Sequence, residues 1–419
     1  MLEVKGYRAY RFSEKAVGNL SDALTPPFDV IDALQRKALA ALSTHNMTHV
    51  ILPEAEGALD RYESAAKIFS GWIEEGALVR DHEDSYYLLE QRFEDRGGSE
   101  RVRRALLAAV KIPDTEGETI LGHEKTFRHK IEDRLALTRA ARMMPSPLLV
   151  MYRDPEAKLG AFLSQMDGQE PDCQAKTIDG VTQRLWRIAD KEGVVARFFA
   201  GETLYIADGH HRFATARAYS GEVRRDNPSL TPLPSDYALL GLVAFEDPGL
   251  FVYPAHRIFD LPKGFVFERF RSELENYFEV RAVEGDLAQH MTGPGAGTTF
   301  GMALRGEGCF ALTLKDVDRH EWLGDDHAAA WRDLDVSVLH RGIFEGILRL
   351  SEDAELLYEP DEANALALWE RGEKDAVFLL KGVTPGQIRA CADAHEFMPQ
   401  KATYLFPKLP AGGAIYGLE

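Results

Sequence analysis

The chain has 419 residues, 45% hydrophobic and 28% charged, with 49 Lys and Arg against 67 Asp and Glu, a formal net charge of −18. This is ordinary globular composition, long enough for two or three domains at roughly 150 residues each, and the acid excess argues against broad binding to nucleic acid or anionic membranes. No apolar run is long enough to span a bilayer, Met1-Leu2-Glu3-Val4-Lys5 lacks an apolar signal region, and the three scattered cysteines suit neither a disulfide framework nor a zinc ribbon. A cytoplasmic protein is expected.

In chain order, residues 7–12 read as a strand, followed by a helix and the loop Pro26-Pro27-Phe28-Asp29-Val30-Ile31-Asp32. The two prolines stiffen the backbone ahead of two acids, and Asp32 is placed to cap the helix predicted over 32–43. That leaves Asp29 as a candidate base or metal ligand. Residues 62–75 are again helical. Strands over 85–93 and 103–112 flank Asp95-Arg96-Gly97-Gly98-Ser99, a hairpin pattern. A charged helix over 125–142 ends before Pro145-Ser146-Pro147. Its start, Gly122-His123-Glu124-Lys125, opens like a zinc-protease helix, but Phe127 stands where the second histidine is needed. Lys130 and Arg134 lie one turn apart with Asp133 beside them. They read either as a solvated face with supporting charge pairs or, with His123, as the lining of a pocket.

A buried strand over 148–152, a helical stretch over 159–165 and a strand over 181–188 follow. The most informative segment is Tyr205-Ile206-Ala207-Asp208-Gly209-His210-His211-Arg212. An apolar strand over 203–207 stops at an Asp-Gly turn, and an alanine-rich helix runs on through about Tyr219. A helix N-terminus presents unpaired N–H groups and favours acids in its first turn, yet His210, His211 and Arg212 occupy that turn. Cations there make sense where an anion binds, so the turn is expected to seat phosphate, with Asp208 holding Mg²⁺ or orienting a hydroxyl. The competing readings are Asp208 as a plain helix cap and a zinc site, the latter weakened because neighbours on a helix point about 100° apart.

Residues 227–235 carry Pro228, Pro232 and Pro234 and read as an exposed linker. A strand over 237–245 leads to Phe251-Val252-Tyr253-Pro254-Ala255-His256-Arg257, whose last pair is a weaker candidate site. Strands near 300–304, 309–314 and 376–380 and helices near 336–349 and 362–372 complete the body. The stretch from Phe397 to Leu418 has no acidic residue, which leaves Lys401 and Lys408 locally uncompensated. Its prolines and glycines predict an extended, ordered tail, with lysines that either reach a phosphate or pair with surface carboxylates. No internal repeat is present, and strands and helices mix without strict alternation, so the fold class is α+β. The expected domains are 1–230, and 236–419 with the tail 397–418 returning towards the site.

The early Pro-Phe-Asp-Val, His123-Glu124 before Lys130 and Asp133-Arg134, Asp208-Gly209-His210-His211-Arg212, and the ending Met398-Pro399-Gln400-Lys401 with Phe406-Pro407-Lys408 together resemble the prokaryotic family of domain of unknown function 1015. The resemblance spans nearly the whole chain. The tail departs from the family pattern at Ala402, where a serine is expected, so no hydroxyl is offered there. The Asp-Gly-His-His-Arg block is also similar to the signature of the wider ParB/sulfiredoxin-like group, where such a turn holds nucleotide phosphates. That resemblance implies a ParB/sulfiredoxin-like mixed core with insertions and a further C-terminal α+β region. Sulfiredoxins carry a cysteine where His210 stands, so their chemistry is not implied. The free-serine kinases of the group carry an acid and a histidine that correspond to Asp208 and His211.

The implied activity is a nucleotide-dependent phosphotransferase, a kinase of a small hydroxyl compound such as free L-serine, using Mg²⁺ with ATP or ADP; the alternative is a non-catalytic nucleotide-binding module. Gly209, His210 and Arg212 would hold phosphate, His211 would touch the transferring group, and Asp208 or Asp29 would take the proton. Lys130, Arg134, Lys401, Lys408 and His123 would supply positive potential. Neither nucleic acid nor membrane is an expected partner, and self-association is left open.

Overall fold

The computed structural model describes every residue except 116, 231, 292–296, 352 and 353. The described chain is α+β, as its patterning predicts, and divides into two compact units: Met1–Leu250 with Pro407–Glu419, and Phe251–Phe406. In the predicted linker, residue 231 lies outside the described residues, while Pro234–Asp236 forms a short 3₁₀ turn.

The first unit is built on a mixed sheet of nine strands. In chain order these are β1 (Val4–Lys5), β2 (Tyr86–Glu94), β3 (Glu100–Lys111), β4 (Ile120–Leu121), β5 (Leu148–Tyr152), β6 (Cys173–Lys176), β7 (Thr182–Ile188), β8 (Leu204–Asp208) and β9 (Tyr237–Ala244). Across the sheet they run β4-β8-β5-β9-β3-β2-β7-β6, with β1 added on β3. The β2–β3 hairpin turns where Asp95 and the glycines predict it: Asp95 Oδ1 accepts from the amides of Gly97 and Ser99, and the strands pair from Glu94 opposite Glu100. The central strands β5 and β9 are continuous apolar runs because both of their faces are covered. Among the described residues of this sheet, β4–β8 and β5–β9 are the parallel pairs.

The four longest helices of this unit are α1 (Ala33–Ala40), α2 (Arg61–Glu74), α3 (Arg128–Ala141) and α4 (His210–Asp226). Asp32 caps α1 as expected, in a reciprocal box with Gln35, and Asp60 with Glu63 does the same for α2. Helix α3 packs against both α2 and α4. Phe12, Met47, Phe69, Trp72, Leu137 and Ile415 meet in one apolar cluster. The tail is extended here: Tyr416–Gly417 pairs with Met143–Met144, directly after α3.

The second unit holds a fully antiparallel six-stranded sheet, in the order Phe278–Val283, Gly308–Leu314, Thr299–Leu304, Ala376–Leu379, His256–Phe259, Leu357–Glu359. Its ends meet, because Phe251–Tyr253 pairs with Tyr404–Phe406. The helix predicted near 336–349 differs in kind: after one α turn at Asp335–Ser337, Val338–Ile347 is a π-helix, and the Leu348 amide reaches back to the Ile343 carbonyl. Gly342 and Gly346 weaken the α preference here, and a Cβ on Gly342 would stand 2.5 Å from the Trp322 ring.

Candidate functional site

Strand β8 ends in an irregularity. Its pairing with β5 shifts register between Ile206 and Asp208, a bulge that turns the Asp208 side chain out of the strict alternation. Gly209 follows at φ 96°, a conformation that costs glycine little and other residues much. A Cβ there would also stand 3.0 Å from the Arg212 guanidinium carbon. Glycine is therefore required twice over. Helix α4 then starts at His210 with no side chain capping it, so the first-turn amides receive no side-chain acceptor from the N-cap. The Asp208-cap reading accordingly fails: Asp208 does not cap α4.

Asp208 instead lies between two cations. Its Oδ2 accepts from Arg212 Nη2 at 2.6 Å, and its Oδ1 from Lys408 Nζ at 2.5 Å, although Lys408 is 200 residues further along the chain. Burial by itself would raise the carboxyl's pKa; the charges of Lys408 and Arg212 outweigh it and hold the group well below the usual carboxylate range. Arg212 is turned inward as well, with Nη1 donating to the Pro147 carbonyl at 2.7 Å and to Ser146 Oγ at 3.4 Å.

What holds Lys408 in place was not foreseen from sequence. Arg103 and Gln91 face each other across β3 and β2 and are both fully buried. Arg103 Nη2 donates to the Pro407 carbonyl, and Gln91 Nε2 donates to the Lys408 carbonyl at 3.0 Å. Arg103 Nε also donates to Gln91 Oε1, and the network continues through Gln183 to Thr177. Burial pulls the Arg103 pKa down to about 10, against the attraction of Asp247 and Asp208. The available signal was a Gln and an Arg on opposing strands, but both strands carry other charges and so look half-exposed.

The histidines take separate roles. His210 is buried; its Nε2 accepts from the His123 amide at 3.2 Å, and its Nδ1 lies 3.4 Å from Glu124 Oε2. Its proton is thereby placed on Nδ1. Gly122 makes this approach possible, since a Cβ there would stand 3.0 Å from the His210 ring. His123 is fully buried, edge-on to His210 with ring centroids 4.5 Å apart, and burial lowers its pKa to about 3. Burial would raise the Glu124 carboxyl, but the bond from His210 brings it down to about 2. His211 stacks on Phe127, and its Nε2 accepts from the Phe127 amide at 3.0 Å. Burial lowers its pKa, Lys130 lowers it further, and Glu124 and Asp29 oppose them.

Thus Asp208, His210, His211, Arg212, His123 and Lys408 converge, and Lys130 and Asp29 are exposed side chains within electrostatic reach of His211. Arg134 separates from Lys130. It is buried, donates to the Ile51 carbonyl at 2.6 Å and to Asp133 Oδ2 at 2.7 Å, and lies over the Phe28 ring. Lys401 is an exposed residue of the second unit, at φ 55°. Arg257, also in that unit, is fully buried against His340 and serves its interior.

Among the described residues no three His, Cys, Asp or Glu side chains gather to hold a metal ion. Both Asp208 oxygens are already taken, so the side chains of this arrangement do not fit a protein-held Mg²⁺, nor do the two adjacent histidines fit zinc. Among the described residues no helix is long and apolar enough to cross a membrane.

No curated protein matches the chain. Among solved structures, it is similar to a conserved hypothetical protein from Pyrococcus furiosus at 16% identity and a TM-score of 0.35, over 73% of this chain and 93% of that one. It is similar to free serine kinase in complex with AMP at 14% identity and a TM-score of 0.37, over 75% and 91%. SbnI with a C-terminal truncation, from Staphylococcus aureus, matches at 12% identity and 0.35, over 72% and 84%. The family described as "Protein of unknown function (DUF1015)" matches residues 4–337.

Proposed function

The chain belongs to the DUF1015 family, and we propose that it is a nucleotide-dependent phosphotransferase that acts on a small hydroxyl compound. Free L-serine, the acceptor implied by the resemblance of its Asp-Gly-His-His-Arg block, is the first to try. The observation that carries the reading is the uncapped N-terminus of α4, placed beside Lys408 and Arg212 by the Gly209 turn. Phosphoryl transfer asks a protein mainly for positioning and for positive potential, and this turn supplies both.

A carboxylate held as low as Asp208 is a poor proton acceptor, so its part is to orient Lys408 and Arg212. His211, whose Nε2 is engaged by the Phe127 amide, presents its Nδ1–H as a donor to the transferring phosphoryl oxygens. Asp29, exposed, takes the acceptor hydroxyl's proton as the oxygen attacks phosphorus and the nucleotide leaves with one phosphate fewer. Mg²⁺ belongs in this reading to the nucleotide's own phosphates.

The test is phosphorus NMR of the protein with Mg²⁺, ATP or ADP, and a pool of hydroxyl compounds led by L-serine. A new phosphomonoester signal is expected, with Asp29→Asn slowing its appearance on the order of a hundredfold or more. Asp208→Ala is a poorer control because it strands two cations. Absence of any phosphomonoester under these conditions would sink the kinase reading.

A second reading, a nucleotide-binding module without transfer, is favoured by one feature: Asp208, Lys408 and Arg212 already satisfy one another. It predicts saturable broadening of one nucleotide's phosphorus signals and no product.

A further inference from the structure

The six-stranded sheet of the second unit ends at Phe278–Val283. That strand pairs on one side with Gly308–Leu314 and, among the described residues, with no strand on the other. Sheet edges are commonly short or covered. In the first unit, edge strand β6 has four residues, and its Lys176 amide is taken by Ser21 Oγ. The strand Phe278–Val283 has six residues, none of them proline.

The register decides which backbone groups face outwards. The Lys315 amide donates to the Tyr277 carbonyl at 2.9 Å, and the ladder continues with Phe278 opposite Leu314. Bonded pairs alternate along an antiparallel ladder. Glu279, Arg281 and Val283 therefore spend their N–H and C=O groups on the neighbouring strand, while Phe278, Val280 and Ala282 turn theirs to the open edge. Such an edge is completed by a strand from another chain.

The side chains select that chain. Glu279 and Arg281 share one face, 55% and 77% exposed, with their charged atoms 2.9 Å apart. A two-fold axis at Val280 sets the strand against its own copy, with Val280 opposite the partner's Val280, Phe278 opposite the partner's Ala282 and Glu279 opposite the partner's Arg281. The three outward residues then meet as bonded pairs. The charges fall on the non-bonded sites, where facing side chains come closest. An axis at Glu279 or at Arg281 would bring like charges face to face, and an axis nearer either end would leave part of the strand unpaired.

We propose that this edge binds a second copy of the chain: Phe278–Val283 pairs with itself, antiparallel about Val280, and the two six-stranded sheets of the dimer become one. The interface stands apart from the phosphotransferase reading and does not depend on it.

The experiment is sedimentation velocity of the full chain from about 1 to 200 μM, the range in which an interface this small should assemble. A reversible step from monomer to dimer is expected. Val280→Pro removes an outward N–H that the protein's own sheet does not use, so it should abolish the dimer and keep the fold, checked by circular dichroism. Arg281→Glu and Glu279→Arg each set like charges across the axis, and each should raise the dissociation constant by roughly tenfold or more. Mixing these two variants in equal amounts should restore the dimer. Repulsion within each chain is unchanged by mixing, so the recovery reports the contact between chains. Should Val280→Pro fail to fold, the two charge variants and their mixture decide the matter. A monomer at every concentration, a dimer that survives Val280→Pro, or a mixture no tighter than either charge variant alone overturns the proposal.

Discussion

Gly209 has no side chain, and the site depends on that. Gly209→Ala forces a φ of 96° on an L-residue and pushes a methyl against the Arg212 guanidinium. The expected cost is about 1–3 kcal/mol, read as a lower urea midpoint, with loss of any nucleotide-dependent broadening in the phosphorus spectrum. His123 makes a different prediction. Its pKa falls from 6.5 to about 3 because burial disfavours the imidazolium. The folded state therefore stays neutral while the unfolded chain takes up a proton below pH 6.5. Stability from this residue is complete above pH 6.5 and declines as the pH drops towards 3, by roughly 1.4 kcal/mol per unit. Urea midpoints measured between pH 7 and pH 5 should fall with that contribution, and His123→Gln should show a shallower decline. An equal decline in the variant would remove His123 from the account.

At the scale of elements, the β2–β3 hairpin is the scaffold for Lys408. Arg103→Met removes the donor to the Pro407 carbonyl and to Gln91 Oε1, leaving buried acceptors unmet at about 1–3 kcal/mol each. The tail should loosen, and Lys408 should become more reactive. Acetylation followed by mass spectrometry is expected to modify Lys408 several-fold faster in Arg103→Met than in the parent, with the rates of exposed lysines unchanged. Uniform acceleration at every lysine would instead signify general unfolding. The same elements show why α3 misled in part. Lys130 and Arg134 lie one turn apart, as read from sequence, but Arg134 points into the interior towards the Ile51 carbonyl while Lys130 stays exposed over Phe127. A difference of four positions placed them on one face of the helix; which edge of that face was covered depended on α2 and α4 packing on either side.

At the scale of the molecule, Phe251–Phe406 forms a compact unit whose two ends pair as antiparallel strands. Ends that lie side by side allow the segment to be cut out and closed. Residues 251–406 expressed alone should give a dispersed amide NMR spectrum. The remainder, with Leu250 joined to Pro407 through a short glycine-serine linker, should keep its fold and the protection of Lys408 from acetylation. A collapsed spectrum for either piece would show that the two units fold only together.

The local features were legible because local physics sets them. The Asp95 turn, the Asp32 cap, the buried strand over 148–152, the apolar strand over 237–245, and the strand, glycine and helix at Asp208–Arg212 each rest on a few neighbouring residues whose backbone preferences agree. Local preference does not bring Lys408 to Asp208, 200 residues away; only the family resemblance pointed the tail towards the site, and neither signal recognised Gln91 and Arg103 as its anchors. Nor could either tell that Arg212 turns inward. Those contacts depend on which strands lie side by side and which charges are driven out of water together, and burial is decided only when the sheet and its helices close.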